Sequence, residues 1–247
     1  MKKRFLLLLP LILFPFCAGF ADDTGVDVPP AVYAKQEAVA SAVNYGQTLC
    51  DTPGYVCRPV TEKDTWYSLF PNFQQRAAVM RLNRTNVALM YRSWIVEPKD
   101  LTKINYMDMS PLPSKMNTHG KPLLFVNLKL FAFGAYDKNG KLLYWGPASS
   151  GAEVCPSGKG SCSTVTGDFR VFRVEGSDCI SHEYPLETHG GDPMPYCMYF
   201  HGGAALHAST LPGFINRSAG CVRLFNSDAK WLYERFVERG TRVVVTR

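Results

Sequence analysis

Hydrophobic positions along the chain change their period several times, and each change marks a segment. Phe5 to Phe16 is an almost unbroken apolar run behind the basic Met1-Lys2-Lys3-Arg4. At roughly 12 residues it falls short of the ~20 that cross a bilayer, and small residues follow at Gly19 and Ala21. That pattern predicts an export signal over 1–21 with cleavage after Ala21. Residues 22–49 are polar and Ala-rich around Pro29-Pro30, which predicts an arm or linker.

A small α+β unit is expected over 50–105. It has a charged turn at Glu62-Lys63-Asp64, then Thr65-Trp66-Tyr67. Apolar Ala77, Ala78, Val79 and Leu82 follow at near-helical spacing, before a short strand at Trp94-Ile95-Val96 that Pro98 ends. Ser110-Pro111-Leu112-Pro113-Ser114 then reads as a hinge within 106–120. From 121 to 247 the pattern turns to strands. Leu123–Leu128 and Leu130–Phe133 are runs of β-formers, and Asp137-Lys138-Asn139-Gly140 is a hairpin turn ahead of Leu142–Trp145. Phe169–Val174 alternates apolar with basic residues, and Arg242–Thr246 closes the chain as a strand. One helix is expected, over Ser227–Arg239, capped by Asn226 or Ser227, with Ala229, Leu232 and Phe236 on one face. The expectation is therefore a mostly β domain, a sandwich with one packed helix, preceded by the small α+β unit.

Composition adds bounds. Loss of the leader takes three of the 27 basic residues against 21 acidic ones, so the charge falls from +6 to about +3. That is too weak a bias for a nucleic-acid partner. No later stretch approaches the length of a membrane span. Of eight cysteines, Cys17 leaves with the leader, and Phe16 before it argues against lipid attachment. An oxidising compartment should pair most of the rest. Cys50 with Cys57 and Cys155 with Cys162 each close a short loop, and Cys179 with Cys197 a longer one. Cys221 is left over. No C-x-x-C spacing occurs and the five histidines are scattered, so neither a metal nor a cofactor is expected.

The segment from His207 to Ser218-Ala219-Gly220-Cys221-Val222-Arg223-Leu224 resembles the signature of the L,D-transpeptidase catalytic domain (YkuD-type). In that family a histidine precedes a Ser/Thr-x-Gly-Cys-aliphatic-Arg or -Asn run. Thr164-Val165-Thr166-Gly167-Asp168-Phe169 resembles a further family turn, and Met194–Phe200 with Gly202-Gly203 the strand that leads to the histidine. The 50–105 unit loosely resembles a LysM module at Asp64, Thr65, Asn83 and Trp94–Pro98, without its usual glycine. If so, it implies binding to N-acetylglucosamine-containing glycan. The plain alternative is a small packing domain.

The chemistry asks for these residue types. Cys221 is the expected nucleophile, its thiol pKa lowered by a nearby base or cation. His207, fourteen positions upstream, is the expected general base. Gly220 leaves room beside the sulfur, and backbone N–H groups of Ala219, Gly220 and Cys221 are candidates for an oxyanion. Arg223 can grip a substrate carboxylate or serve a structural ion pair. Ser218 and His201 are further substrate-contact candidates, although a surface position suits His201 as well. Ser181–Pro195, with His182 and His189, reads as a loop or lid. Where the family commonly has a histidine before the Gly-Cys pair, this chain has Ala219.

The resemblance implies a periplasmic or secreted enzyme. It would form a cysteine thioester with a peptidoglycan stem tetrapeptide and pass the acyl group to an amine. The acceptor would be another stem peptide or a cell-wall-anchored protein. Water as acceptor would make it an L,D-carboxypeptidase, and a catalytically silent peptidoglycan-binding protein is the alternative from another class.

Overall fold

The computed structural model describes residues 45–155 and 160–247. The expected export signal and most of the expected arm lie outside them. The arm's last residues are helical: α1, Tyr45–Cys50, is tied by the Cys50–Cys57 disulfide to strand β1, Tyr55–Pro59. They belong to the small unit that follows, because Leu49 is buried in its core.

That unit runs strand, helix, helix, strand. Thr65 caps α2 (Trp66–Leu69) through a reciprocal box with Ser68, and the Asn72 side chain accepts the first N–H groups of α3 (Phe73–Leu82). The chain returns as β2, Trp94–Pro98, antiparallel to β1. Trp66, Phe70, Val79, Leu89 and Ile95 form its core. Asn83 joins helix to strand, its amide bonding Val79 O and Val96 O while its Oδ1 accepts Val96 N–H.

The remaining nine strands form one strongly curled sheet. They are β3 Leu123–Asn127, β4 Ala132–Tyr136, β5 Leu142–Ser149, β6 Gly167–Arg170, β7 Arg173–Val174, β8 Met198–His201, β9 Ala204–Ala208, β10 Val222–Leu224 and β11 Arg242–Thr246. Their order is β6-β11-β3-β4-β5-β10-β9-β8-β7. Leu124, Val126, Phe133, Met198, Leu206, Val222 and Val243 meet inside the curl, where Ala229 and Leu232 of α4, Asn226–Arg235, complete the core. The fold is mostly β with a packed helix, as expected.

Four local expectations change. The segment read as one strand over 169–174 divides into β6 and β7, the two ends of the sheet. Val171 N–H bonds Thr241 O, and Phe172 N–H bonds Tyr199 O, so the segment crosses from one edge to the other. Helix α4 starts at Asn226 behind Phe225, with no side-chain cap, and stops at Arg235. The 106–120 segment is no free hinge. Leu112, Met109 and Met116 cover the outer apolar face of Leu123, Phe125 and Trp145, and Trp145 Nε1 bonds Tyr106 O at 2.7 Å. Nor is the 50–105 unit separate: Arg81 of α3 forms a buried ion pair with Asp228 of α4, which Tyr144 also bonds at 2.8 Å.

Candidate active site

The site follows from strand register. Strand β9 pairs in parallel with β10, setting Leu206 beside Val222, His207 beside Arg223 and Ala208 beside Leu224. Side chains of paired residues share a face, and faces alternate along each strand. Leu206, Ala208, Val222 and Leu224 therefore face the core. Ala205, His207 and Arg223 share the other face, and Cys221, one position ahead of β10, falls beside Ala205 on it. Tyr199 pairs with Ala205 and Ser149 with Arg223, so both extend this face. Cys221 and His207 are thus diagonal neighbours on one face of adjacent strands.

A short turn presents the cysteine. Ser218 Oγ donates to Cys221 O at 2.5 Å and accepts Gly220 N–H at 3.1 Å. Thr164 Oγ1 donates to Gly220 O at 2.9 Å and accepts Gly151 N–H. Gly220 has φ +122, a conformation that favours glycine, and a Cβ there would stand 3.9 Å from Cys162 O. Two expectations are corrected here. Ser218 is only 1% exposed and lies beneath the turn, where its hydroxyl holds main chain instead of a bound peptide. The Gly220 N–H is engaged by that hydroxyl, so it does not point to an oxyanion. Thr164 opens the Thr164–Phe169 motif, and its role here is to hold the main chain of the turn.

Cys221 is the free cysteine among the described residues, and the three expected disulfides are present. Burial pushes its thiol pKa up, against the Ala205 N–H and the Arg223 charge, which pull it down. The expectation of a lowered value thus fails in the resting site, because desolvation outweighs both. Its Sγ donates to Gly203 O at 3.7 Å. His207 is 5% exposed, and burial pushes it down to about 4, partly opposed by its bond to Ala208 O and helped by Arg223. That bond, 2.9 Å from Nδ1, fixes the tautomer. A carbonyl only accepts, so Nδ1 carries the proton and Nε2 keeps its lone pair. The resting pair is a neutral thiol and a neutral imidazole.

His201 does not join them. A bulge between Tyr199 and His201 sets His201 against Ala204, on the opposite face, where its ring meets Phe169 at 5.2 Å. The 181–195 loop is closed at its base by Cys179–Cys197. Both cysteines, with Met194 and Tyr199, pack against Cys221, placing the loop's base beside the sulfur. Arg173 of β7 lies over the Tyr199 ring at 3.8 Å, a charge the sequence had not singled out. An open recess of about 470 Å³ at Lys115–Gly120 and Lys138–Asn139 is lined by none of these residues. Glu175, Cys179 and Cys197 lie close enough together for a metal, but the two cysteines are joined in a disulfide and offer no thiolate.

A family model described as the L,D-transpeptidase catalytic domain matches residues 121–245. No curated protein matches the chain. Among solved structures, an L,D-transpeptidase from Xylanimonas cellulosilytica is 24% identical, with 70% of this chain and 79% of that one covered at a TM-score of 0.51. One from Stackebrandtia nassauensis is 23% identical over 56% of this chain and 61% of that one, TM-score 0.44. One from Mycobacterium smegmatis is 22% identical over 51% and 59%, TM-score 0.42.

Proposed function

The chain belongs to the L,D-transpeptidase catalytic-domain family, and on that premise we propose that it is an exported acyltransferase acting through Cys221 on peptidoglycan stem peptides. The observation that carries the residue assignment is the β9/β10 register, which sets Cys221, His207 and Arg223 on one face. Cys221 Sγ attacks the amide carbonyl after the L-centre of a stem tetrapeptide. Its proton passes to His207 Nε2 as the C–S bond forms, because the resting thiol is not ionised. The developing oxyanion falls to the amides of Ala219 and Cys221. His207 then gives the proton to the departing D-Ala nitrogen, leaving a thioester. An amine on a second stem peptide, or on a cell-wall-anchored protein, attacks that thioester and loses a proton to His207, restoring the thiol. Arg223 holds a substrate carboxylate and, by its charge, favours the thiolate.

Export is supported by three disulfides, which persist in oxidising compartments. No helix among the described residues is long and apolar enough to cross a membrane. For the 50–105 unit the packing role has the better support over glycan capture, since Thr85 and Asn86 after α3 are buried against residues 209–212.

The test is incubation of purified protein with disaccharide tetrapeptide, with products read by mass. Loss of D-Ala with formation of a cross-linked dimer is expected, and Cys221→Ala should abolish both while melting as the parent does. D-Ala release without dimer would identify water as acceptor, and no reaction in protein with a reduced Cys221 would return the silent-binder alternative.

A further inference from the structure

The loop that joins His207 to Cys221 is gripped from the N-terminal unit. Asn86 Oδ1 accepts Leu211 N–H at 2.8 Å, and its Nδ2 reaches Ser209 O at 3.4 Å. Thr85 Oγ1 donates to Leu211 O at 2.9 Å, and Arg92 Nη1 to Pro212 O at 2.7 Å. Both main-chain groups of Leu211 are thus held by neighbouring side chains. Thr85 and Asn86 are almost fully buried, where a polar side chain is tolerated only if its partners are matched. Those partners are the loop's own backbone.

Shape matches the polar grip. Gly213 has φ +108, and a Cβ there would stand 2.0 Å from Arg92 Nη1, so the loop makes room for the guanidinium. Phe214 then enters a socket of Leu49, Leu82 and Val96 and stacks on Trp94. A Cβ on Gly46 would lie 2.2 Å from the Phe214 ring. From the other side, Ser149 Oγ donates to Ile215 O, and Ser150 N–H to Asn216 Oδ1. The loop is therefore fixed between β5 and the N-terminal unit.

Resting on the acyl-transfer reading of this site, we propose that one segment of the N-terminal unit, residues 85–92, positions the reactive pair. Thr85, Asn86 and Arg92 are positioning residues that set where His207 and Cys221 stand relative to each other. Their contacts reach the segment that begins at one of the pair and ends at the other. Proton transfer and attack at a carbonyl both depend steeply on such placement. The charged and titratable groups around the pair are Arg223 from β10, Tyr199 from β8, Arg173 of β7 over the Tyr199 ring, and Glu175 just after β7, paired with Arg173. Changes at 85 and 86 leave them in place.

The experiment uses the full chain with Thr85→Val, Asn86→Ala, Thr85→Ser and Val79→Ala. Val79 sits in the small unit's core, away from the loop, and controls for a simple loss of stability. Two rates at Cys221 are followed against pH, acylation by a carbapenem and alkylation by iodoacetamide, at a temperature where circular dichroism shows every variant folded. Thr85→Val and Asn86→Ala should slow acylation about tenfold and displace the alkylation profile, by the sensitivity of such reactions to small misplacements. Thr85→Ser should restore both, and Val79→Ala should match the parent. Profiles of Thr85→Val and Asn86→Ala that overlay the parent, or an equal loss in Val79→Ala, would overturn the proposal. A parent that no carbapenem acylates, with alkylation still separating the variants, would sink the acyl-transfer reading and leave the positioning role standing.

Discussion

The two faces of the β9/β10 pair share a backbone and a register, yet they differ in almost every other respect. One presents Leu206, Ala208, Val222 and Leu224 to the core, where each is almost fully buried. The other presents His207, Cys221 and Arg223 around Ala205, and these three carry polar or ionisable groups that would be costly to bury without partners. The difference teaches that two residue sets one position apart in sequence should respond to mutation in unrelated ways. Core-side changes should register as stability, and changes on the other side as reactivity.

The largest effect expected is on the reactive face. His207→Ala removes the group proposed to accept the thiol proton, and the acylation rate should fall by roughly 10²–10⁴, the usual loss for a general base. Melting followed by circular dichroism should stay close to the parent. A normal rate in this variant would detach His207 from the chemistry.

On the core face, Leu206→Ala leaves a cavity and should cost about 2–5 kcal/mol of stability, measured by urea unfolding. Alkylation of Cys221 in the folded fraction should be unchanged. If reactivity fell while stability held, the separation of the two faces would be wrong.

The smallest effect sharpens the comparison, because His207 is buried although it belongs to the reactive face. Its pKa in the fold is about 4, against an ordinary 6.5. Between those values the unfolded chain binds a proton that the folded chain refuses. Stability is therefore full above pH 6.5 and declines as pH falls to about 4, by roughly 3 kcal/mol from linkage. Urea unfolding across this window should show that slope in the parent and a shallower one in His207→Ala.

Much of this architecture was legible in the residues, and the gaps have physical reasons. The strands, the α4 face and the pairing of six cysteines follow from local pattern and spacing. The candidacy of His207 and Cys221 came from the family resemblance, and their common face depends on a parallel register between segments fourteen residues apart. His201, for which the sequence left cleft and surface both open, lies exposed because one bulge reverses a side chain, and a bulge leaves no mark in alternation. Phe169–Val174 alternates like one strand because both of its halves are paired, but with different partners. The segment around Ser110–Ser114 looked like a hinge from its prolines. Its true role depends on Leu112 finding Trp145, a contact between separate parts of the chain. The same holds for Asn86 and Leu211, 125 positions apart, which no periodicity connects.

The crossing of β6 into β7 bears on how the protein behaves in company. Open sheets end in rows of unpaired N–H and C=O groups that recruit strands from other molecules. Here both ends of the nine-stranded order belong to one stretch of chain, with strands of four and two residues, and β6 also lies against β8. Little edge of this sheet is left to template a neighbour.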